Sequence, residues 1–269
     1  MYAFLEDKQI IAVSGLDSEK FLNGLLTNLV DNRQITYAMM LSPQGRYLCD
    51  FFIYPQAQSS YLLEVPKNAD ILGKLKLYRM RSKVELEDVS SSYICLYSRD
   101  LLPTNSYKDP RYSQLGYKSI IQSAQLANIK LVLQPNLYLE DKYQFCIPDG
   151  ATDFIINKSF PQEYGADFLN AISYTKGCYV GQEVIARTKY QGMVRKKIHL
   201  IQAQYSLNHL LQGDKITIEG QEVGILCSVF DNKGIALVRC EQEKEERYFA
   251  DVCGIAVNLS LAPWYASLT

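Results

Sequence analysis

Histidine is almost missing from this chain: His199 and His209 are all that its 269 residues contain. A histidine-rich metal centre is therefore excluded. Cysteine is present seven times (49, 95, 146, 178, 227, 240 and 253), an odd number without a Cys-x-x-Cys pair. That pattern makes neither a disulfide framework nor a zinc site, and it fits a reducing compartment. No apolar run approaches the roughly 20 residues that cross a bilayer. The opening Met1-Tyr-Ala-Phe-Leu-Glu-Asp-Lys8 places acids where an export signal needs a basic start. A soluble, unexported, cytoplasmic protein is expected. Formal net charge is -1, so no global field draws the chain to DNA, RNA or a membrane, and anion binding must be local. Internal repeats and low-complexity tracts are lacking too.

What is present is an ordinary globular balance, 48% hydrophobic and 21% charged, in a chain long enough for one large or two ordinary domains. Tyrosine stands out at 20 residues; a compositional bias explains that as well as function does. Residues 10–13 read as a strand. Asp17 is placed to cap a helix running to Val30, with Phe21, Leu22, Leu25, Leu26 and Leu29 on one face. Tyr47 to Tyr54 and Ser60 to Val65 read as a hairpin. Residues 67–80 read as a helix burying Ile71, Leu72, Leu75 and Tyr78, with strands at Val84 to Val89 and Tyr93 to Tyr97. The polar stretch 99–118, broken by Pro103 and Pro110, reads as a connection between subdomains, and 120–128 as helical. From Lys196 onward five short strands separated by turn signals read as a small barrel or sandwich; Glu241 to Arg247 reads as a polar loop. The division expected is an α+β domain over 1–193 and a β domain over 194–269.

The sharpest local feature is Lys176-Gly-Cys-Tyr-Val-Gly-Gln-Glu-Val-Ile-Ala-Arg187. A lone cysteine is more often buried than reactive. Here two glycines leave room around Cys178, Lys176 lies two residues before it, and a helix opens just after it. Positive charge and a helix N-terminus both favour thiolate, the reactive form.

Lys-Gly-Cys-Tyr-x-Gly-Gln-Glu resembles the signature of the YgfZ family, whose mitochondrial members assist iron–sulfur cluster assembly. Further blocks resemble that family in the right order: Val13-Ser-Gly-Leu-Asp17, Phe21 to Asn28, Leu41 to Arg46, Tyr78-Arg-Met-Arg-Ser-Lys-Val84, Asp109-Pro-Arg111, Phe160 to Glu163 and Arg195-Lys-Lys197. The resemblance extends to the T-protein of glycine cleavage and to the folate domain of tRNA-modifying GTPases. It implies a tetrahydrofolate-binding, T-protein-like α+β body followed by a small C-terminal β-barrel; the cysteine and histidine content gives no expectation of a resident metal.

Two departures from those relatives stand out. T-protein-like enzymes carry an Asp-Asp pair after a Gly-Gly turn; here the stretch reads Gly45-Arg46-Tyr-Leu-Cys49-Asp50. Successive strand residues face opposite sides, so either Cys49 or Asp50 meets the ligand. In Lys142-Tyr-Gln-Phe-Cys146, Gln144 stands near the glutamate that pairs with the pterin ring, and glutamine offers one acceptor and one donor in place of two acceptors.

The resemblance implies a folate-dependent accessory factor for iron–sulfur proteins or their assembly machinery, with an indirect link to tRNA-modifying radical enzymes. Cys178 would bind a cluster transiently or act as a redox thiol, with Lys176 raising its thiolate fraction. Asp50, Gln144, Tyr179, Gln182, Glu183 and Arg187 would serve the folate site and its loop. The enzyme alternative is a one-carbon transferase with Asp50 as acid or base. A third reading is an RNA- or partner-binding module using the basic stretches 67–83 and 187–197; such runs are more often solvated faces.

Overall fold

The computed structural model describes residues 1–56, 59–102, 105–128, 132–240 and 247–268. Pro103, and all of the expected polar loop except Arg247, lie outside the described residues. In chain order the body contains β1 (Tyr2–Phe4), β2 (Lys8–Ser14), α1 (Ser18–Leu25), β3 (Thr36–Leu41), β4 (Tyr47–Pro55) and β5 (Ser60–Pro66). It continues through α2 (Ile71–Arg79), β6 (Glu85–Asp88), β7 (Tyr93–Ser98), β8 (Ser106–Lys108), β9 (Tyr117–Gln122), α3 (Leu137–Gln144) and α4 (Gln182–Gln191). Then come β10 (Lys196–Gln202), β11 (Lys215–Ile218), β12 (Gln221–Phe230), β13 (Lys233–Arg239), β14 (Arg247–Val252) and β15 (Ile255–Leu261). The strands form a five-stranded sheet in the order β3-β4-β5-β2-β6, a four-stranded sheet β1-β7-β9-β8, and a closed barrel β10-β13-β12-β11-β14-β15.

Strand β4 shows how the sequence builds the centre. It is buried on both faces, so its residues are apolar almost throughout. Cys49, Phe51 and Ile53 join Phe21, Leu22, Leu25, Ile71 and Leu75 under the layer of α1 and α2. Phe52 and Tyr54 join the opposite cluster with Tyr97, Leu137, Tyr138 and the barrel residues Ile198, Ile235 and Leu237, and so does Tyr47, which a register shift between Cys49 and Tyr47 turns to that side. The two-residue period therefore puts Cys49 beneath the helices and Asp50 among the aromatics. Each such large apolar side chain removed from water contributes about 1.5–3 kcal/mol.

Trp264, on the turn after β15, closes the barrel end onto the body. It is buried, its Nε1 donates to the Cys146 carbonyl at 3.0 Å, and its ring covers Gly165. Gly165 has φ +74°, and a Cβ there would stand 2.1 Å from the ring.

Several local expectations are corrected. Helix α1 ends at Leu25 and Leu29 is exposed, because Leu26 turns extended and Thr27 spends its hydroxyl on the Ala171 carbonyl. Asp17 stands at the N-cap of α1 as expected, but its side chain makes no cap bond; its carboxylate accepts the Lys83 N–H at 2.8 Å instead. Tyr78 faces solvent. The stretch 99–118 is not a loose connection, since it contains β8, the start of β9 and the buried pair Asp109 and Arg111. Residues 120–128 are strand as far as Gln122 and then a 3-10 turn; Lys118, buried in β9, disguises the strand pattern. The barrel has a sixth strand, β15, and α3 was not foreseen, because its buried face includes the charged Asp141 and Lys142.

Candidate functional site

Two places concentrate chemistry: a sealed hub of charge at the body's centre, and an open loop holding Cys178. At the hub, Asp50 accepts the Tyr47 hydroxyl at 2.8 Å and the Tyr37 hydroxyl at 3.2 Å. Asp149 takes the Lys8 ammonium at 3.0 Å and the Tyr138 hydroxyl at 2.5 Å. Arg111 forms a two-pronged pair with Asp109 at 3.0 and 2.7 Å, donates to Tyr138 at 3.2 Å, and stacks over Phe52. Lys142 pairs with Asp153 at 2.7 Å. Burial, and then Asp149, push the Asp50 carboxyl above its ordinary value. Burial also pushes Asp149 up, but Lys8, Lys142 and Arg111 outweigh it and hold that carboxyl well below the usual range. Asp109 is lowered in the same way, Arg111 outweighing burial.

The Cys178 loop is built differently. Gly181 caps α4 at φ +84°, and a Cβ there would meet the Ser42 carbonyl at 2.6 Å. Gly45 (φ +71°) lies against Val184 of α4. The β3–β4 turn and the start of α4 thus lock together through two glycines, and Val180 packs onto the α1–α2 cluster. Lys176 donates to the carbonyls of Asn23, Leu26 and Asn28, at 2.9, 2.5 and 2.9 Å, where α1 ends. Burial pulls its ammonium down to about 8. All three of its donors are used, so its first task is to hold the loop to α1. Tyr179 is buried with its ring 5.2 Å from that ammonium. Cys178 itself is exposed, as is Cys253; Cys49, Cys95, Cys146 and Cys227 are buried.

On this geometry the chain can be set beside known proteins. Residues 195–267 match the family model of the CAF17 C-terminal β-barrel domain. The mitochondrial iron–sulfur cluster assembly factor IBA57 homolog of Mycosarcoma maydis is 32% identical over 70% of this chain and 54% of its own length. Human mitochondrial IBA57 is 28% identical over 98% of this chain and 85% of its own. The crystal structure of the glycine cleavage aminomethyltransferase T from Bartonella henselae covers 98% of this chain and 85% of that one, with a TM-score of 0.74 at 15% identity. The fold is that of a T-protein. In sequence the chain is similar to the IBA57-type iron–sulfur cluster assembly factors. It spans about half the length of the fungal relative.

The T-protein-like body with its closed six-stranded C-terminal barrel bears out the α+β architecture read from sequence. The cytoplasmic expectation is corrected: the relatives are named as mitochondrial proteins, which points to the mitochondrion. Free thiols mark a reducing compartment and cannot separate one such compartment from another.

The remaining sequence-chosen residues are not gathered around Asp50. Gln144 is exposed at the end of α3, where Lys233 of the barrel donates to it. Arg187 lines a separate cleft of about 400 Å³ on α4 with Phe160, Glu163 and Arg195. Gln182 and Glu183 open α4 but make no side-chain hydrogen bond to the cysteine loop among the described residues. Tetrahydrofolate, which the fold family implies, does not fit at Asp50. That residue is 3% exposed, tyrosines bond both its oxygens, and a Cβ on Gly150 would sit 1.9 Å from its Oδ1. The neighbouring cavity of about 410 Å³ reaches Tyr138, Lys142 and Asp149, whose polar groups are already paired. Sequence reading missed Lys8, Arg111 and Asp149 as hub members. The signal available was a charge beside an apolar run for Lys8 and Asp149, whereas Arg111 lies in a polar stretch that hides it.

Proposed function

We propose that this protein is an accessory factor for iron–sulfur proteins or their assembly machinery, working through the thiol of Cys178. The observation that carries this reading is the exposure of Cys178 on a loop pinned from three sides: by Lys176 on the end of α1, by Gly181 on the β3–β4 turn, and by Val180 on the α1–α2 cluster. A fixed, accessible thiol is what a metal cluster or a partner's sulfur needs to meet. Similarity to IBA57-type factors supports the iron–sulfur assignment, and the YgfZ-like signature from Lys176 to Glu183 agrees with it.

The one-carbon transferase reading is opposed by the sealed Asp50. A general acid or base must come within hydrogen-bond reach of its substrate, and Gly150 and two tyrosines occupy that reach. Tetrahydrofolate binding rests on the fold alone, and a link to tRNA-modifying enzymes on the resemblance alone. The first is read by a shift in melting temperature with tetrahydrofolate.

Brief alkylation of the native protein tests the main reading. Cys178 should be modified ahead of Cys240 and of Cys253, whose thiol burial and the Asp214 and Asp251 carboxylates push up. The alkylated protein should no longer restore iron–sulfur enzyme activity to depleted mitochondrial extract. Modification of Cys253 first, or full restoration by protein blocked at Cys178, would reject the proposal.

A further inference from the structure

Helix α2 covers the five-stranded sheet with only two fully buried side chains, Ile71 and Leu75. Its far end and the following turn face solvent with large apolar groups: Leu77 is 78% exposed, Met80 84% and Tyr78 40%. Leu16 joins them at 80%. Its turn is pinned alongside, because a Cβ on Gly15 would stand 2.2 Å from the Lys83 carbonyl and Asp17 accepts the Lys83 N–H.

Apart from the Asp17 carboxylate, which is spent on the Lys83 N–H, charge on this face is positive. From Ile71 to Val84 the chain has five cations (Lys74, Lys76, Arg79, Arg81 and Lys83) and no carboxylate. Among the described residues, Lys76, Arg79, Arg81 and Lys83 are exposed and enter no ion pair. The acids that follow, Glu85, Glu87 and Asp88, lie on the edge strand β6 and mark the border of the patch. Met80 adds a second anomaly: its backbone sits at φ 45°, ψ -110°, a region a non-glycine residue rarely occupies, yet its side chain buries nothing. Strain kept at an exposed side chain points to a use for that side chain.

We propose that this face, centred on Leu77, Tyr78, Arg79, Met80 and Arg81, is the docking surface for an acidic protein segment that also carries apolar side chains. Tyrosine, methionine and arginine are the types enriched where protein surfaces meet, and arginine and tyrosine often carry the binding energy. Carboxylates on the partner would match the unpaired cations, while its apolar groups cover Leu16, Leu77 and Met80. A nucleic acid would answer the cations but leave three aliphatic side chains in water. A membrane would need a segregated apolar stripe, and α2 has already spent its stripe on the sheet. Val180 packs on the same cluster as α1 and α2, so the cysteine loop and this surface lie on one side of the sheet. The partner's role as donor or recipient at Cys178 rests on the function proposed above; the surface itself does not.

The test uses the full-length protein and a labelled peptide in which glutamate pairs alternate with leucine pairs, read by fluorescence anisotropy. The comparison probes are polyglutamate of equal length, single-stranded RNA and vesicles rich in phosphatidylserine. The alternating peptide should bind best and weaken with salt. The double variants R79E/R81E and L77S/M80S should each lower its affinity by about tenfold, with unchanged melting temperature because all four side chains are exposed. C178S should bind it as the wild type does, which separates this surface from the fate of the cysteine reading. Equal binding by wild type and both double variants, tighter binding of RNA, vesicles or polyglutamate, or no binding of the alternating peptide would overturn the proposal.

Discussion

The hub around Asp50 and the loop around Cys178 both come from conspicuous motifs, yet they use polar chemistry in opposite ways. At the hub, carboxylates, ammonium groups, a guanidinium and tyrosine hydroxyls are buried and bonded to each other. Taking such charges out of water is expensive, and only mutual pairing offsets it. At Asp50 itself such pairing leaves little to offer a ligand, although Arg111 keeps one buried nitrogen without a hydrogen-bond partner. In the loop the order is reversed: Lys176, Gly181 and Val180 supply the fixing contacts, and the thiol is left in solvent. A reactive-looking residue type says less than where the fold spends its partners.

The comparison breaks first, and hardest, at the hub. Asp109→Ala should destabilise the protein by about 3–5 kcal/mol, because Arg111 would be left buried without its counter-charge; a loss under about 1 kcal/mol in urea denaturation would mean that the pair is dispensable. Acid should act on the same groups. Asp109 and Asp149 have folded values below their unfolded ones, so their stabilisation is present above the unfolded carboxylate value of about 4 and is lost as pH falls through the folded values. Asp50, raised in the fold, works in the opposite sense. The urea midpoint should therefore fall steeply below about pH 4, and a flat profile there would contradict the assigned directions. Lys176→Met should cost a smaller amount, about 1–2 kcal/mol, from three carbonyls losing a half-buried ammonium. If that variant keeps full stability while the alkylation rate of Cys178 collapses, Lys176 serves the thiol directly and not the loop.

Much of this was legible in the sequence, for identifiable reasons. The alternation of Tyr47 to Tyr54 and the glycine Gly181 are local signals, and the β4–β5 hairpin and the start of α4 follow them. The side to which Asp50 points was left open because alternation fixes parity and not direction; only the packing of α1 and α2 against Cys49 and Phe51 decides it. Helix α3 and strand β9 were missed because Lys118, Asp141 and Lys142 are charged and buried, which erases the polar–apolar pattern that periodicity depends on. Five of the 20 tyrosines, a number that bias and function explained equally well in the sequence, prove to be hydroxyl donors to Asp50, Glu64, Asp141 and Asp149. Their partners lie up to 44 residues away in sequence, out of range of any local motif. At the loop, Lys176 was paired with Cys178 on spacing alone, whereas its donors reach back to the end of α1.

The most direct test sets the two regions against each other in cells that depend on this protein for iron–sulfur enzyme activity. Cys178→Ser and Asp50→Asn are compared at equal protein level, with melting temperature as a control for folding. Cys178→Ser should abolish the activity while leaving stability within about 0.5 kcal/mol of the wild type, and Asp50→Asn should retain it. Activity that survives Cys178→Ser but is lost in a folded Asp50→Asn would place the chemistry at the sealed centre and contradict the proposed role of the loop.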